Sequence, residues 1–471
     1  MTTEQQLPEG WKIERLGDIA ISEKGKKPKN QSSKKTDKFC YPYVDIEAFE
    51  KGIIKSYTDG AKCVLCDEND FLMVWDGARS GLVGKGIKGA LGSTLVRISL
   101  PNINNLYAYY FLLSKYKEIN TRAKGSGTPH VDPDLLWNYA FPIPPNQETQ
   151  QAIVNKIESL FDEIDEGIGR LKTAAQQIQQ YRQSLLKNAF NGELTKEWRS
   201  KHADALPSEN ELLAQIQTAR EQHHAQQLAD WQTAVSQWEQ NGKEGKKPSK
   251  PKALTQAVKF EENFADLPSG WGVVKLDKIV KYITDGDHQA PPKSSNGIPF
   301  ITISNIDKKD FSINFFDTFF VNDDYYNQIS ELRKPKKGDI LYTVTGSFGI
   351  PVMVNFDKKF CFQRHIGLIS PLEKISNQRW LFYVLQSPDV FKQAEQLSTG
   401  TAQKTVALSS LRNFDIPYCS LAEQNQIVAI LESKLTACDQ LTAELAKQLK
   451  QAELLKQAVL KAAFSGSLLD K

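Results

Sequence analysis

Isoleucine and leucine return every seventh residue through one polar stretch of this chain: Ile157, Ile164, Leu171, Ile178 and Leu185. Ile153, Leu160 and Tyr181 fill complementary positions, and polar runs such as KTAAQQIQQ lie between them. That is the seam of a coiled coil, and it predicts one helix from about Gln147 to Phe190. A shift of 274 residues finds a second seam at Ile427, Leu431, Cys438, Leu445, Leu455 and Val459, on a helix from about Leu421 to Phe464. Both helices end alike, in NAFNGEL and AAFSGSL, with a glycine where a C-cap would sit. At 1.5 Å per residue, each would be roughly 65 Å long. Two amphipathic seams in one chain most simply bury each other. Antiparallel packing would then send the flanking domains to opposite ends. The alternative, each seam packing on its own domain, leaves a helix overhanging a unit of about 150 residues.

Ahead of each helix the period changes from helical to alternating. Phe39–Ile46, Asp70–Trp75 and Gly92–Ile98 read as strands, as do Ile298–Ile306, Asp339–Gly346 and His365–Ser370. Asn104–Ile119 and Asn377–Ala394 read as helices at equivalent places. The fold class is therefore α+β: two mixed α/β domains separated by two long helices in an antiparallel coiled coil, with pseudo-twofold symmetry. The expected segments are 1–146 for the first domain, 147–194 for the first long helix, 267–420 for the second domain and 421–466 for the second long helix. Between the halves, 195–266 is an insert. It contains a Gln-rich helix opened by a Ser208/Glu211 capping box, then a Lys-Pro linker. Trp198, Trp231 and Trp238 on the insert fit either a docking face or packing against the long helices.

The duplication reaches the start of each domain. LPEGWKIERLGDIA (from Leu7) aligns with LPSGWGVVKLDKIV (from Leu267) at a constant offset of 260. Such a pentapeptide holds a turn and then a Trp to anchor the first strand, not a catalytic group.

Composition narrows the class. No run of 18 apolar residues occurs, so no membrane span is expected, and MTTEQQLPEG lacks the features of a secretory signal, so the expected location is cytoplasmic. Six cysteines in 471 residues are too few for a disulfide framework. Cys63 and Cys66 make a lone C-x-x-C without further ligands, so no metal site is expected. The net charge of +3 is mild, but the lysines are clustered. Lys24–Lys38 holds seven lysines and one acid, and smaller basic clusters lie at Arg333–Lys337 and Gly242–Lys252. A solvated loop is the plain reading of such runs, and phosphate contact is the functional one.

Catalytic motifs are missing. GKGIKG (Gly84, Gly86, Gly89) matches a dinucleotide fingerprint in letters only, because a strand-like segment follows it where a helix is needed. A glycine-rich hairpin is expected there. No Walker A, G-x-S-x-G or amino-methylation motif occurs, and the six histidines are scattered.

Taken together, AFPIPPNQETQQAIVNKIESLFDEID, FDIPYCSLAEQNQIVAILESKL and the two helix exits resemble the specificity subunit of type I restriction-modification enzymes over essentially the whole chain. Glu423, Gln424, Ile427 and Val428 match the family's usual lead-in to the spacer helix; the first copy departs, with Thr149 in the place of Glu. That departure reads as cosmetic. The resemblance implies two target recognition domains on an antiparallel coiled coil, no catalysis and no cofactor bound by this chain. It implies double-stranded DNA as ligand, with two methylation subunits and restriction subunits as partners. S-adenosylmethionine, ATP and Mg would belong to those partners. The rival reading is a coiled-coil adaptor that binds only protein.

Under the DNA reading, Lys26, Lys27, Lys29, Lys34, Lys35, Lys334, Lys336 and Lys337 are expected on phosphates. Arg79, Ser80 and His130 in the first domain, and His288, Ser347, Gln363, Arg364 and Gln403 in the second, are the candidates for base edges. Internal salt bridges are the alternative for Arg79 and Arg364. Gln177, Tyr181 and Arg182 are expected off the seam, facing either the methylation subunits or solvent.

Overall fold

Each LPxGW pentapeptide is a four-residue turn. The N–H of Trp11 donates to the carbonyl of Pro8 (3.2 Å) and that of Trp271 to Pro268 (3.1 Å), with Gly10 and Gly270 at φ +83° and +79°. Only glycine takes that conformation without strain, which explains the third shared letter. The strand that follows pairs antiparallel with the strand leading into the long helix: Lys12–Arg15 with Ala140–Ile143, and Gly272–Lys275 with Asp415–Tyr418. The start and end of each globular domain are thereby clamped together.

The computed structural model describes residues 7–125, 127–254, 257–261, 267–288, 291–401 and 403–469. It divides into two units, Met1–Ala174 with Ala443–Lys471, and Ala175–Thr442.

In the first unit a four-stranded antiparallel sheet runs in the order Ile21–Lys24, Leu95–Ser99, Phe71–Val74, Val83–Lys85. Helix Asn105–Thr121 is capped by the Asn104 side chain and buries Tyr107, Phe111 and Leu112. These join Ile153, Val154 and Ile157 of the first long helix and Val459, Leu460 and Ala463 of the second in one core. GKGIKG is a crossover and not the expected hairpin. Residues 83–85 pair with 71–73, whereas 89–91 join a different sheet beside Tyr43–Val44 and Leu65–Cys66. A Cβ on Gly86 would lie 1.9 Å from the Asp67 carbonyl, so the glycine serves close backbone approach.

The second unit repeats the sheet: Val280–Asp285, Ile366–Pro371, Ile340–Thr343, Pro351–Met353. The single helix expected over 377–394 is broken here into Gln378–Leu385 and Pro388–Leu397. Pro388 cannot donate into a continuing helix, and Ser387 instead caps the new one. The insert helix, Glu209–Gln240, carries the expected capping box and buries Leu212, Ile216 and Ala219 in this unit's core. Farther along it, Trp231 and Trp238 donate through Nε1 to the carbonyls of Pro248 and Gly245, so the Lys-Pro segment folds back on the helix.

The long helices span Gln147–Phe190 and Leu421–Phe464. Within each unit the beginning of one lies against the end of the other, which is antiparallel packing. In the first unit Lys456 pairs with Asp165. In the second, Leu185, Leu186, Ala189 and Phe190 share a core with Ile427, Val428 and Leu431. Two seam assignments need correction: Tyr181 and Leu455 are 46% and 53% exposed. Phe161, Ile168, Ala175 and Arg182 are the partly buried residues at the alternate seam spacing.

Candidate nucleic-acid interface

The same end of the four-stranded sheet gathers loops in both units. In the first, the N–H of Gly77 donates to the carbonyl of Pro129 (2.7 Å) and that of Val131 to Trp75 (2.9 Å). This seats His130, half-buried, beside Asp76. In the second, Gly346 N–H donates to Lys404 (2.9 Å) and Val406 N–H to Val344 (2.8 Å). The two junctions are the same backbone device, and each sets a glycine of positive φ (Gly77, Gly346) against an incoming loop. What they present differs.

In the first unit the loop that leaves strand Ile21–Lys24 also starts at this end, with Lys26 N–H on the Leu91 carbonyl. Lys26, Lys27, Lys29, Lys34 and Lys35 are exposed along it. None of them pairs with a described carboxylate, so their charge is available to an anion. Lys24 itself is neutralised by Asp76 at 2.8 Å. Lys124 bridges Asp132 (2.8 Å) and Asp134 (3.6 Å), and its ammonium holds Asp132 below the usual carboxylate range. Arg79 is exposed but its guanidinium lies 2.6 Å from Glu50, which is the internal-pair alternative. Ser80 is a correction: it is fully buried and its hydroxyl cannot reach a base. Its backbone closes the turn from Gly77 (3.0 Å), and Asn120 holds its carbonyl.

In the second unit, Asp287 and Gln363 form a bridge, and Arg364 N–H donates to the Asp287 carbonyl (3.1 Å). His288 Nε2 lies 2.8 Å from Asp285, which also takes Arg333 (3.3 Å). Val344 N–H donates to His365 (2.9 Å), so Arg364 and the Gly346 turn lie at the same end of adjacent strands. Ser347, Arg364 and Gln403 are exposed and Gln363 is half-buried. Five sequence candidates therefore meet at one edge: His288, Ser347, Gln363, Arg364 and Gln403. Lys334 is a second correction. Its side chain is 11% exposed, bound to Glu331 (2.6 Å) and placed over the Tyr326 ring. Lys336 is exposed, and Lys337 is loosely paired with Asp357 (3.7 Å).

On the long helices Gln177 and Tyr181 face outward, but Arg182 does not fit the expected off-seam position. It pairs with Asp439 of the second long helix. Cys66 is buried, and desolvation pushes its thiol up to about 12, which suits an unreactive core cysteine.

Against known proteins, the model of the type I restriction modification DNA specificity domain matches twice, over residues 8–172 and 268–451. The chain belongs to this family. Each match begins at an LPxGW turn and runs into a long helix, so the family unit coincides with the structural repeat. The chain is 25% identical to the type I restriction enzyme MjaVIII specificity subunit of Methanocaldococcus jannaschii, across 98% of this chain and 94% of that one. It is 23% identical to the EcoBI specificity subunit of Escherichia coli, across 91% and 80%. Among solved structures, a chain from work on complex assembly and conformational transition of the type I R-M system superposes with a TM-score of 0.65. It shares 19% identity, covering 98% of this specificity-family chain and all of that one. The HsdS subunit from Thermoanaerobacter tengcongensis gives 0.50, with 98% of both chains covered and 19% identity. At such identities the superpositions speak for the fold.

Residues that the sequence did not single out include Asp76, Lys124 and Asp285. Asp76 fixes Lys24 and Asp285 fixes Arg333 across some fifty residues, which no local spacing signals, whereas Lys124–Asp132 and Asp285–His288 are short-range pairs.

Proposed function

We propose that this chain is the DNA-reading subunit of a type I restriction-modification complex and recognises a split target, one half per recognition domain. The observation that carries the reading is the repeated loop junction. One backbone device, used twice, presents a lysine-rich loop in the first unit and a His288/Gln363/Arg364/Gln403 edge in the second. A like frame with unlike side chains suits two half-sites of different sequence. Lysines along 26–35 hold phosphates and set the salt dependence of binding, while the second edge supplies amide and guanidinium groups of the kind that read bases. The long helices set the unread distance between the half-sites. Their outer faces, including Gln177 and Tyr181, receive two methylation subunits. Restriction subunits complete the assembly. S-adenosylmethionine, ATP and Mg act on those partners, in the cytoplasm, and this chain catalyses nothing.

The test is to express the chain with its methylation partner and map methylated adenines over a genome. A two-part motif with a fixed gap is expected. Deleting residues of the second edge (Gln363→Ala with Arg364→Ala) should relax one half of the motif and leave the other intact. Loss of no half, or a continuous motif, sinks the proposal.

A further inference from the structure

The loop that leaves the outer strand of each four-stranded sheet is pinned in the same way in both units. In the first, Gly25 N–H donates to the Leu95 carbonyl (2.9 Å) and Lys26 N–H to that of Leu91 (3.2 Å). In the second, Gly286 N–H donates to Ile366 (3.4 Å) and Asp287 N–H to Phe362 (3.2 Å). A Cβ on Gly25 would lie 2.2 Å from the Gly92 carbonyl oxygen, and one on Gly286 would lie 2.0 Å from that of Phe362, so only glycine lets each loop come so close. The receiving segments correspond as well. Gly89–Leu91 runs parallel to Tyr41–Val44, and Cys361–Phe362 runs parallel to Ile298–Ile301. Lys26 and Asp287 therefore occupy equivalent positions with opposite charge.

What happens to the two charges differs. Lys26 is exposed and pairs with no described carboxylate. The Asp287 carboxylate is held: Tyr325 Oη donates to its Oδ2 at 2.6 Å. The Asp287 carbonyl accepts the Arg364 N–H (3.1 Å), and residue 287 bridges Gln363, so the tyrosine acts on the segment that carries both candidates. Tyr325 comes from helix Asp323–Gln328, which Asn322 caps by accepting the Tyr325 N–H (2.9 Å). The next residue, Tyr326, anchors that helix in a small core with Phe300, Val321 and Cys361. Successive helix residues point about 100° apart, so burying Tyr326 does not bury Tyr325 with it. Desolvation and the Asp287 carboxylate hold the Tyr325 hydroxyl above its usual range, so it keeps its proton and donates. The other acids at this end are accounted for: Asp285 takes His288 and Arg333, while Asp323 and Asp324 are exposed on the helix.

We infer that Tyr325 is a positioning residue for the second half-site: by holding the Asp287 carboxylate it fixes the Gln363–Arg364 segment and keeps the Arg364 guanidinium for the DNA. This rests on the DNA reading proposed above. A loose carboxylate beside that segment would compete for the guanidinium, because arginine and carboxylate form strong charge-assisted bonds. In the first unit the equivalent Lys26 needs no such restraint, since its charge is itself the attraction.

The experiment uses the complex with its methylation partner. Its ligands are duplexes carrying the motif and duplexes with one base pair changed in either half-site. Tyr325→Phe keeps the ring and removes the hydroxyl. It should lower discrimination at the second half-site about tenfold, the scale of one hydrogen bond to a charged group, and leave discrimination at the first half-site as in the wild type. In an Asp287→Ala background the same substitution should change nothing further, because both parts of its effect pass through that carboxylate. If Tyr325→Phe keeps full discrimination at both half-sites, the Tyr325 assignment falls and the DNA reading stands. If it weakens binding to every duplex equally, or acts just as strongly on top of Asp287→Ala, the hydroxyl is a general support of the fold and the assignment again falls. If the wild type discriminates at neither half-site, the DNA reading falls and takes this inference with it.

Discussion

The protein contains two junctions at which a long helix ends against the start of a recognition domain, and they are fastened differently. At one, Gly192 follows the first long helix and packs on Pro268 of LPSGW. At the other, Gly466 follows the second and packs on Pro8 of LPEGW. The steric fit is the same: a Cβ would come within 2.2 Å of Pro268 and 2.3 Å of Pro8, at φ +84° and +79°. The polar fastening is not. Beside Gly192, the buried carboxylate of Glu423 accepts from the Thr195 hydroxyl (2.7 Å), the Trp271 indole N–H (2.9 Å) and Arg199 (3.2 Å). The equivalent position in the first unit is Thr149, whose N–H and hydroxyl both donate to the capping Asn146 Oδ1. The two positions therefore differ in what they must satisfy: the carboxylate buried at 423 requires the cation of Arg199, because burying it without one would be expensive, and the neutral Thr149 requires none. What read as a cosmetic departure has a physical consequence.

The sharpest way to break this comparison is to treat both positions alike. Glu423→Ala strands a buried guanidinium, an indole N–H and a hydroxyl. It should cost about 3–5 kcal/mol of stability, the range for removing one partner of a buried ion pair. Thr149→Ala should cost less than about 1 kcal/mol. Denaturant unfolding of the two variants measures both. Equal losses would mean that the carboxylate network does not distinguish the junctions.

The next effect should be shared. Gly192→Ala and Gly466→Ala each force an L-residue into the left-handed region and a methyl into a proline ring. Both should destabilise, by at least about 1–3 kcal/mol and by similar amounts. Thermal melts would read the pair. A large inequality would show that the polar network at Glu423, and not the glycine contact, holds the second junction.

Much of this architecture is legible in the letters. The seam is visible because burial on a helix repeats every 3.5 residues, and the duplication because the offset stays constant over LPxGW and its following strand. The errors share one cause. Tyr181 and Leu455 sit one position from a seam residue, and apolar character alone does not say which side of a helix faces its partner. Ser80 and Lys334 were chosen by side-chain chemistry, but their exposures of 0% and 11% are set by the surrounding fold, which side-chain chemistry does not reveal. The Gly77–Pro129 and Gly346–Lys404 contacts join residues some fifty positions apart, and no local pattern encodes such a pairing.

The smallest expected effect separates the basic clusters of the two units. Lys26 is exposed and unpaired with any described acid, whereas Lys334 is covered and bound to Glu331. By sequence the two lysines are equivalent phosphate ligands. By structure only the first has a charge to release counterions. Lys26→Gln should lower the slope of log affinity against log salt by about 0.9, the share of one phosphate contact on duplex DNA. Lys334→Gln should leave that slope unchanged and lose only its packing on Tyr326. Titrating both variants with a motif-bearing duplex over a range of salt concentrations decides the matter. Equal slopes for Lys26→Gln and the wild type would remove the 26–35 loop from the phosphate backbone. The first domain would then bind through its Gly77–His130 junction without electrostatic help from that loop.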